Sequence, residues 1–250
     1  MSAFDDHKIS HLSASSVNLF AAQPALWVAE KLLNRKSPVG AAAHRGAAVE
    51  AGVTKGLLKP EIDVEECVSE AESVFRQLMA LSGDPRRETE AAAVGPIVRM
   101  ALPELRSYGH DVVCQERIEW RAPGLSVPFI GFIDYRWPYH QILVDLKTQL
   151  RLNGEIKVSH ARQVASYAGQ MGPSIDARVT YCTPKKVATY KVENVQQHID
   201  ALIRIGQTIE RFLGVSKDPY ELAGLLVPDP DSFYFADPAT RQMAWDVWKI

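Results

Sequence analysis

The chain of 250 residues is poor in cysteine: Cys67, Cys114 and Cys182 are odd in number, far apart, and form no C-x-x-C pair. That pattern argues against a disulfide framework and a zinc site and points to a reduced, intracellular setting, the cytoplasm. Charge of one sign is also lacking, because 28 Lys and Arg stand against 30 Asp and Glu for a formal charge of -2. Any contact with nucleic acid therefore has to come from a local patch and not from the field of the whole molecule. Long apolar runs are missing too. None approaches the about eighteen residues that span a bilayer, and MSAFDDHKIS at the N-terminus is acidic and polar, so neither a transmembrane helix nor a signal peptide is expected. With no internal repeat, low-complexity block or linker, residues 1–250 read as a single domain.

What is present is an ordinary soluble balance, 46% hydrophobic and 23% charged, enough for a sizeable core. From Ser13 to about Arg35, apolar residues at helical spacing describe two short helices, the second opened by Pro24. Gly40 to Val53 is alanine-rich and helical. Asp63 to Leu81 and Pro85 to Tyr108 read as further helices, the last interrupted at Gly95-Pro96 and Pro103. The period then changes: VVCQERIEW, VPFIGFIDYRW and QILVDLKT are β-branched and aromatic runs joined by short turns, the pattern of a three-stranded antiparallel meander. Gly154 to Met171 returns to helix, 177–183 and 187–192 are strand-like, Val195 to Leu213 is amphipathic helix, and Asp237 caps a last helix begun by Pro238. The fold class expected is α/β: a mixed sheet flanked by helices. It comprises a mainly helical region over 1–110, an α/β core over 111–192, and C-terminal helices and tail over 193–250.

One stretch conflicts with its surroundings. VDLKT places Asp145 and Lys147 two apart in an apolar strand, hence on one face, where an isolated charge costs several kcal/mol. Asp134 in the preceding strand GFIDYRW is a plausible cross-strand neighbour. Two carboxylates held together repel unless a proton or cation intervenes, and hard oxygen ligands suit Mg2+ or Mn2+. A lysine beside such an ion can orient a nucleophile or steady developing charge, so the chemistry suggested is metal-assisted phosphodiester hydrolysis, with one or two ions.

The order Gly131-x-x-Asp134, ten residues, then Asp145-x-Lys147 resembles the PD-(D/E)XK nuclease superfamily. Gly40-x-x-x-His44 with Glu50 following, and Gln163-x-x-x-Tyr167 downstream, narrow the likeness to the RecB-like exonuclease branch. LSASSVNLF also resembles the opening of such proteins, with Gln23-Pro24 where a cysteine and proline usually stand; the likeness covers roughly Leu12 to Lys191. It implies a restriction-endonuclease-like core and a metal held by His44, Asp134, Asp145 and the Leu146 carbonyl. It also implies a Lys147 that positions the attacking water, and Gln163 and Tyr167 that grip DNA. Lys157, Arg162 and Arg151 are further DNA contacts, and Glu50, Glu116 and Thr148 are auxiliary candidates. The four cysteines of the cluster-bearing members are missing, so no iron–sulfur cluster is expected. The activity implied is exonucleolytic, in recombination, repair or phage DNA metabolism, with a single-strand annealing protein or helicase as a candidate partner. The rival readings are an endonuclease of the same fold and a non-catalytic DNA-end-binding recombination accessory protein.

Taken singly these signals are weak. A D-x-K pair is commonly two solvated strand charges, His44 alone suits a helix surface, Tyr167 alone suits a core, and Glu116 suits a solvated strand. Between Gln141 and Lys191, however, eight basic residues oppose three acids in an otherwise slightly acidic chain, as expected where phosphates are drawn to one face. The C-terminal aromatics Phe233, Tyr234, Phe235, Trp245 and Trp248 read as packing residues in preference to a base-stacking platform.

Overall fold

The computed structural model describes residues 2–250. In chain order the elements are α1 (Ala3–Asp6), α2 (Ala14–Ala22), α3 (Pro24–Lys31), α4 (Ala41–Leu58), α5 (Val64–Leu78), α6 (Arg87–Arg106), β1 (Val113–Trp120), β2 (Phe129–Trp137), β3 (Ile142–Thr148), α7 (Val158–Met171), β4 (Asp176–Cys182), β5 (Val187–Lys191), α8 (Val195–Leu213), α9 (Pro219–Gly224) and α10 (Pro238–Trp248). The chain, read from sequence as one domain, divides into two compact units: residues up to Pro38 with Ile118–Gly131 and Gln196–Ile250, and Val39–Arg117 with Phe132–Val195. Among the described residues no helix is long and apolar enough to cross a membrane.

In the first unit the helix starts follow local chemistry. Ser13 accepts the Ser16 amide at the head of α2, Pro24 occupies the first turn of α3, and Asp237 accepts the Ala239 and Thr240 amides at the head of α10. Leu26, Ala29, Phe235, Met243 and Ala244 form its apolar cluster, with Trp248 against it. Of the C-terminal aromatics, Phe235 is fully buried whereas Phe233 is exposed.

The second unit carries most of the sheet, whose order is β1-β2-β3-β4-β5; the ends of β1 and β2 at Ile118–Trp120 and Phe129–Gly131 belong to the first unit. β2 and β3 are antiparallel, β3 and β4 parallel, β4 and β5 antiparallel, which makes the sheet mixed. The parallel pair follows from α7, since returning to the same end of a sheet requires a crossover. Tyr135, Trp137, Val144 and Leu146 share one buried cluster with apolar residues of α4, α5 and α6; α4 and α6 lie against the sheet and α5 packs on those two helices.

The interruption expected in the helix from Pro85 does not occur. α6 runs unbroken through Pro96 and Pro103. Each proline removes one backbone donor, but nine buried residues, Glu90 among them, bind α6 to its neighbours, and packing of this kind outweighs a local propensity loss. The small residues of α4 serve the same seam. A Cβ on Gly52 would lie 2.5 Å from the Cys67 carbonyl oxygen and 2.9 Å from Ala71 Cβ, and one on Gly56 would lie 2.6 Å from Leu102 Cδ2. Gly52→Ala should therefore push α5 away and destabilise by about 1–3 kcal/mol despite alanine's better helix propensity. A thermal midpoint several degrees lower is expected; an unchanged or higher one would contradict the close approach.

Candidate functional site

Asp145 is almost wholly buried, at 1% exposure, where an unpaired carboxylate is costly. Lys147 answers it from two residues on: Nζ donates to Asp145 Oδ1 at 3.0 Å and stands 2.8 Å from Oδ2. The second contact has ion-pair distance without hydrogen-bond geometry, and Oδ2 is left as a buried carboxylate oxygen with no hydrogen-bond partner. The β2–β3 register, Tyr135 opposite Val144, carried one residue further sets Asp134 opposite Asp145. Asp134 Oδ2 accepts the Leu146 amide at 2.9 Å, so the two acids are tied through the backbone of β3.

A third carboxylate acts on this pair from α4. Burial pushes the Glu50 carboxyl upward, with Lys147 opposing and Asp145 adding to the shift. Burial first, then the negative charge of Asp145, holds Asp134 well above the ordinary carboxylate range. Burial also pushes Asp145 upward while Lys147 resists, and the two aspartates keep Lys147 protonated against its own desolvation. Three acids thus share one ammonium, and the excess negative charge calls for a proton or a cation.

Glu50 is itself held. Gln115 Nε2 donates to its carboxylate, and the Tyr135 hydroxyl donates to its backbone carbonyl at 3.3 Å. Gln115 does so from a left-handed backbone, φ 53, inside strand β1. That conformation costs a non-glycine residue of order 1 kcal/mol or more, and such strain persists where the surroundings over-determine it. Gln115 went unmarked in the sequence because a glutamine in an alternating strand carries no signal. Only its φ and its partner reveal it.

On α7, Gln163 Nε2 donates to the Tyr167 hydroxyl at 3.2 Å. Burial pushes that phenol up to about 12, with Asp145 and Asp134 adding to the shift, so the predicted pair does border the acids. Lys157 and Arg151 are exposed and Arg162 half-buried, all in or beside the first turns of α7 or in the loop before it. Other candidates fall elsewhere. Glu116 is taken up by Arg136, which pairs with both its oxygens, and so does not join the acids. Thr148 is an anchor, accepting Arg45 at both its carbonyl and its hydroxyl. The side chain of His44, half-buried in the first turn of α4, makes no hydrogen bond or ion pair among the described residues. The residue of α4 that interacts with the acids is Glu50, six positions on.

Among the described residues no three His, Cys, Asp or Glu side chains form a ready-made metal cage. Lys147 lies on Asp145, and Asp134 spends one oxygen on the Leu146 amide. The donor set nevertheless suits a hard divalent cation: Asp134, Asp145 and Glu50 offer oxygen alone, one of those oxygens is buried without a hydrogen-bond partner, and the electrostatics lack positive charge. The thiols offer no competing soft site, since burial pushes Cys114 up to about 11 and Cys182 up to about 12, leaving both protonated at neutral pH.

No protein-family model and no curated protein matches the chain. Among solved structures, one described as "Crystal structure of SSO0001" is similar at 13% identity, covering 66% of this chain and 85% of that one, with a TM-score of 0.37. A likeness at that level carries no argument about fold or activity.

Proposed function

We propose that the chain is a divalent-metal-dependent deoxyribonuclease, an exonuclease of the RecB-like branch of the PD-(D/E)XK superfamily built on a restriction-endonuclease-like core. The observation that carries this reading is the cluster of buried Asp145 with half-buried Asp134 and Lys147 on adjacent strands, with an unsatisfied Asp145 oxygen and Glu50 acting on it. Supporting it are the Gln163–Tyr167 pair beside the acids and the basic residues around α7.

Asp134, Asp145 and Glu50, more than His44, would hold the Mg2+ or Mn2+ ion, which when bound supplies Lewis-acid stabilisation of the phosphoryl oxygens and a more acidic water. The chain's own groups do the rest. Lys147 stays protonated between the two aspartates, placed to donate to the attacking water or to a phosphoryl oxygen as negative charge builds there in an in-line displacement. Burial of Asp145 and partial burial of Asp134 and Lys147 raise the worth of the electrostatic contacts among them. Gln163 and Tyr167 offer polar groups to the strand near its end, and Lys157, Arg162 and Arg151 supply a sequence-independent attraction for backbone phosphate that weakens with salt. The cellular role that goes with this chemistry is DNA recombination, repair or phage DNA metabolism, alone or beside an annealing protein or helicase.

End-labelled linear DNA and a covalently closed circle, each incubated with Mg2+, Mn2+ or EDTA, test the reading. Ion-dependent shortening of the linear DNA with the circle intact is expected. Cutting of the circle would turn the assignment to an endonuclease, and binding without cleavage of either would favour an accessory protein.

The surplus of acids also predicts a stability effect in the absence of metal. A carboxyl whose folded pKa is raised binds its proton more tightly when folded, so its contribution is present below about pH 4 and is lost as pH rises through the raised value. The metal-free protein should thus be less stable at pH 8 than at pH 5, and Mg2+ should recover the difference. Asp134→Asn keeps an acceptor for the Leu146 amide while removing the charge, so in EDTA it should gain about 1 kcal/mol or more at pH 8 and show a shallower slope, Asp145 and Glu50 keeping the rest. Thermal melts in EDTA at the two pH values decide; a variant less stable than wild type at pH 8 would sink the prediction.

A further inference from the structure

The face of α7 that carries Gln163 and Tyr167 begins one turn earlier with His160, since positions three and seven apart lie on one side of a helix. β4 runs parallel to β3 with Tyr181 level with Lys147, and side chains at paired positions stand on the same side of a sheet. Tyr181 joins the two elements. Its hydroxyl oxygen accepts the Lys157 amide at 3.1 Å and lies 2.8 Å from His160 Nδ1, with the two rings 5.6 Å apart. Because the phenol oxygen already receives one proton from the backbone, we assign its own proton to His160 Nδ1. That leaves the imidazole hydrogen on Nε2, which has no hydrogen-bond partner among the described residues. Burial, reinforced by Lys147 and Lys157, pushes the imidazole down to about 4, so it is uncharged under the conditions in which nucleases work. A fixed, neutral N–H thus stands near Lys147 and Lys157, where an acceptor that carries negative charge is the ligand that fits.

We propose that His160 is a neutral hydrogen-bond donor to the DNA backbone phosphate adjoining the one that is cleaved, and that Tyr181 positions it by fixing its tautomer. The inference rests on the nuclease reading above. It separates His160 from Lys157 and Arg162 physically. Loss of a charged contact weakens binding less at high salt, whereas loss of an uncharged donor changes affinity by the same factor at all ionic strengths. A phosphate is favoured over a base edge because Lys147 and Lys157 flank the imidazole and draw the strand's charged side toward it.

First-nucleotide release in Mg2+ or Mn2+ tests this, using linear DNA with a single neutral methylphosphonate placed in turn at each linkage near the end. His160→Ala should raise KM roughly tenfold with kcat nearly unchanged, and by the same factor at low and high salt. His160→Gln, whose amide nitrogen reaches the place of Nε2, should recover most of the loss, and Tyr181→Phe should fall between. A methylphosphonate next to the scissile linkage should cost wild type about that factor and cost His160→Ala little. Equal methylphosphonate losses in wild type and His160→Ala, or His160→Gln as impaired as His160→Ala, would overturn the proposal while leaving the nuclease reading intact. Failure of wild type to cleave would overturn both. Melts of each variant identify misfolding, and should His160→Ala not fold, the methylphosphonate comparison on His160→Gln and Tyr181→Phe carries the decision.

Discussion

If the chain is the proposed nuclease, Lys147→Met should slow DNA hydrolysis by about a hundredfold or more in kcat without abolishing binding of Mg2+ or Mn2+. The magnitude is that of removing one preorganised donor from a charge-building transition state. The direction of the metal effect follows from the site. Nζ lies on both oxygens of Asp145, so its removal frees a ligand and deletes a competing positive charge, and divalent affinity should rise. Asp145→Asn should give the complementary result: hydrolysis should fall at least as far, and metal affinity with it. Single-turnover kinetics beside a Mn2+ titration of each variant separates the two roles. A Lys147→Met protein that loses metal and activity together would mean that the lysine only supports the fold of the site.

The second large effect lies behind the site. Arg45 on α4 and Glu90 on α6 form a buried ion pair, each 4% exposed, and Arg45 donates as well to the Thr148 carbonyl at 3.0 Å and to its hydroxyl at 3.3 Å. Arg45→Ala leaves a carboxylate buried without its partner, at a cost of about 3–5 kcal/mol. Thermal denaturation should show a midpoint lower by roughly ten degrees. Arg45→Met with Glu90→Leu removes both charges and should recover much of the stability, since an apolar pair of similar volume avoids the desolvation penalty. Activity should not return in parallel. Thr148 ends the strand that carries Lys147, and without Arg45 it keeps its place opposite Cys182 in the ladder but loses the side-chain tie to α4. A double variant as unstable as Arg45→Ala would place the cost in lost packing and not in the unpaired charge.

Much of this was legible in the sequence, for reasons that can be named. The strands around Asp134 and Asp145 announce themselves by alternation, and Asp145 and Lys147 share a face because a strand's period is two. Ser13, Pro24, Asp63 and Asp237 mark helix starts because capping is local chemistry. What escaped depends on tertiary context. Pro96 and Pro103 read as breaks, yet α6 continues because packing against α4 and α5 sustains it. Arg45 looks like any helix-surface arginine until Glu90, forty-five positions on, is found buried against it. Glu50 ranked below His44 because the histidine fits a motif, whereas the glutamate's importance lies in its coupling to Asp145 and Lys147 and in the strained Gln115 that holds it. His160 has no motif at all. Its environment is made by Tyr181 from another strand.

The most direct test is hydrolysis of end-labelled linear DNA in Mg2+ or Mn2+ by wild type, Asp145→Ala and Lys147→Ala in parallel. Wild type should release label only when the ion is present, and both variants, folded by their melting curves, should release it at least about a hundredfold more slowly. Equal release by all three proteins would contradict the assignment of the site.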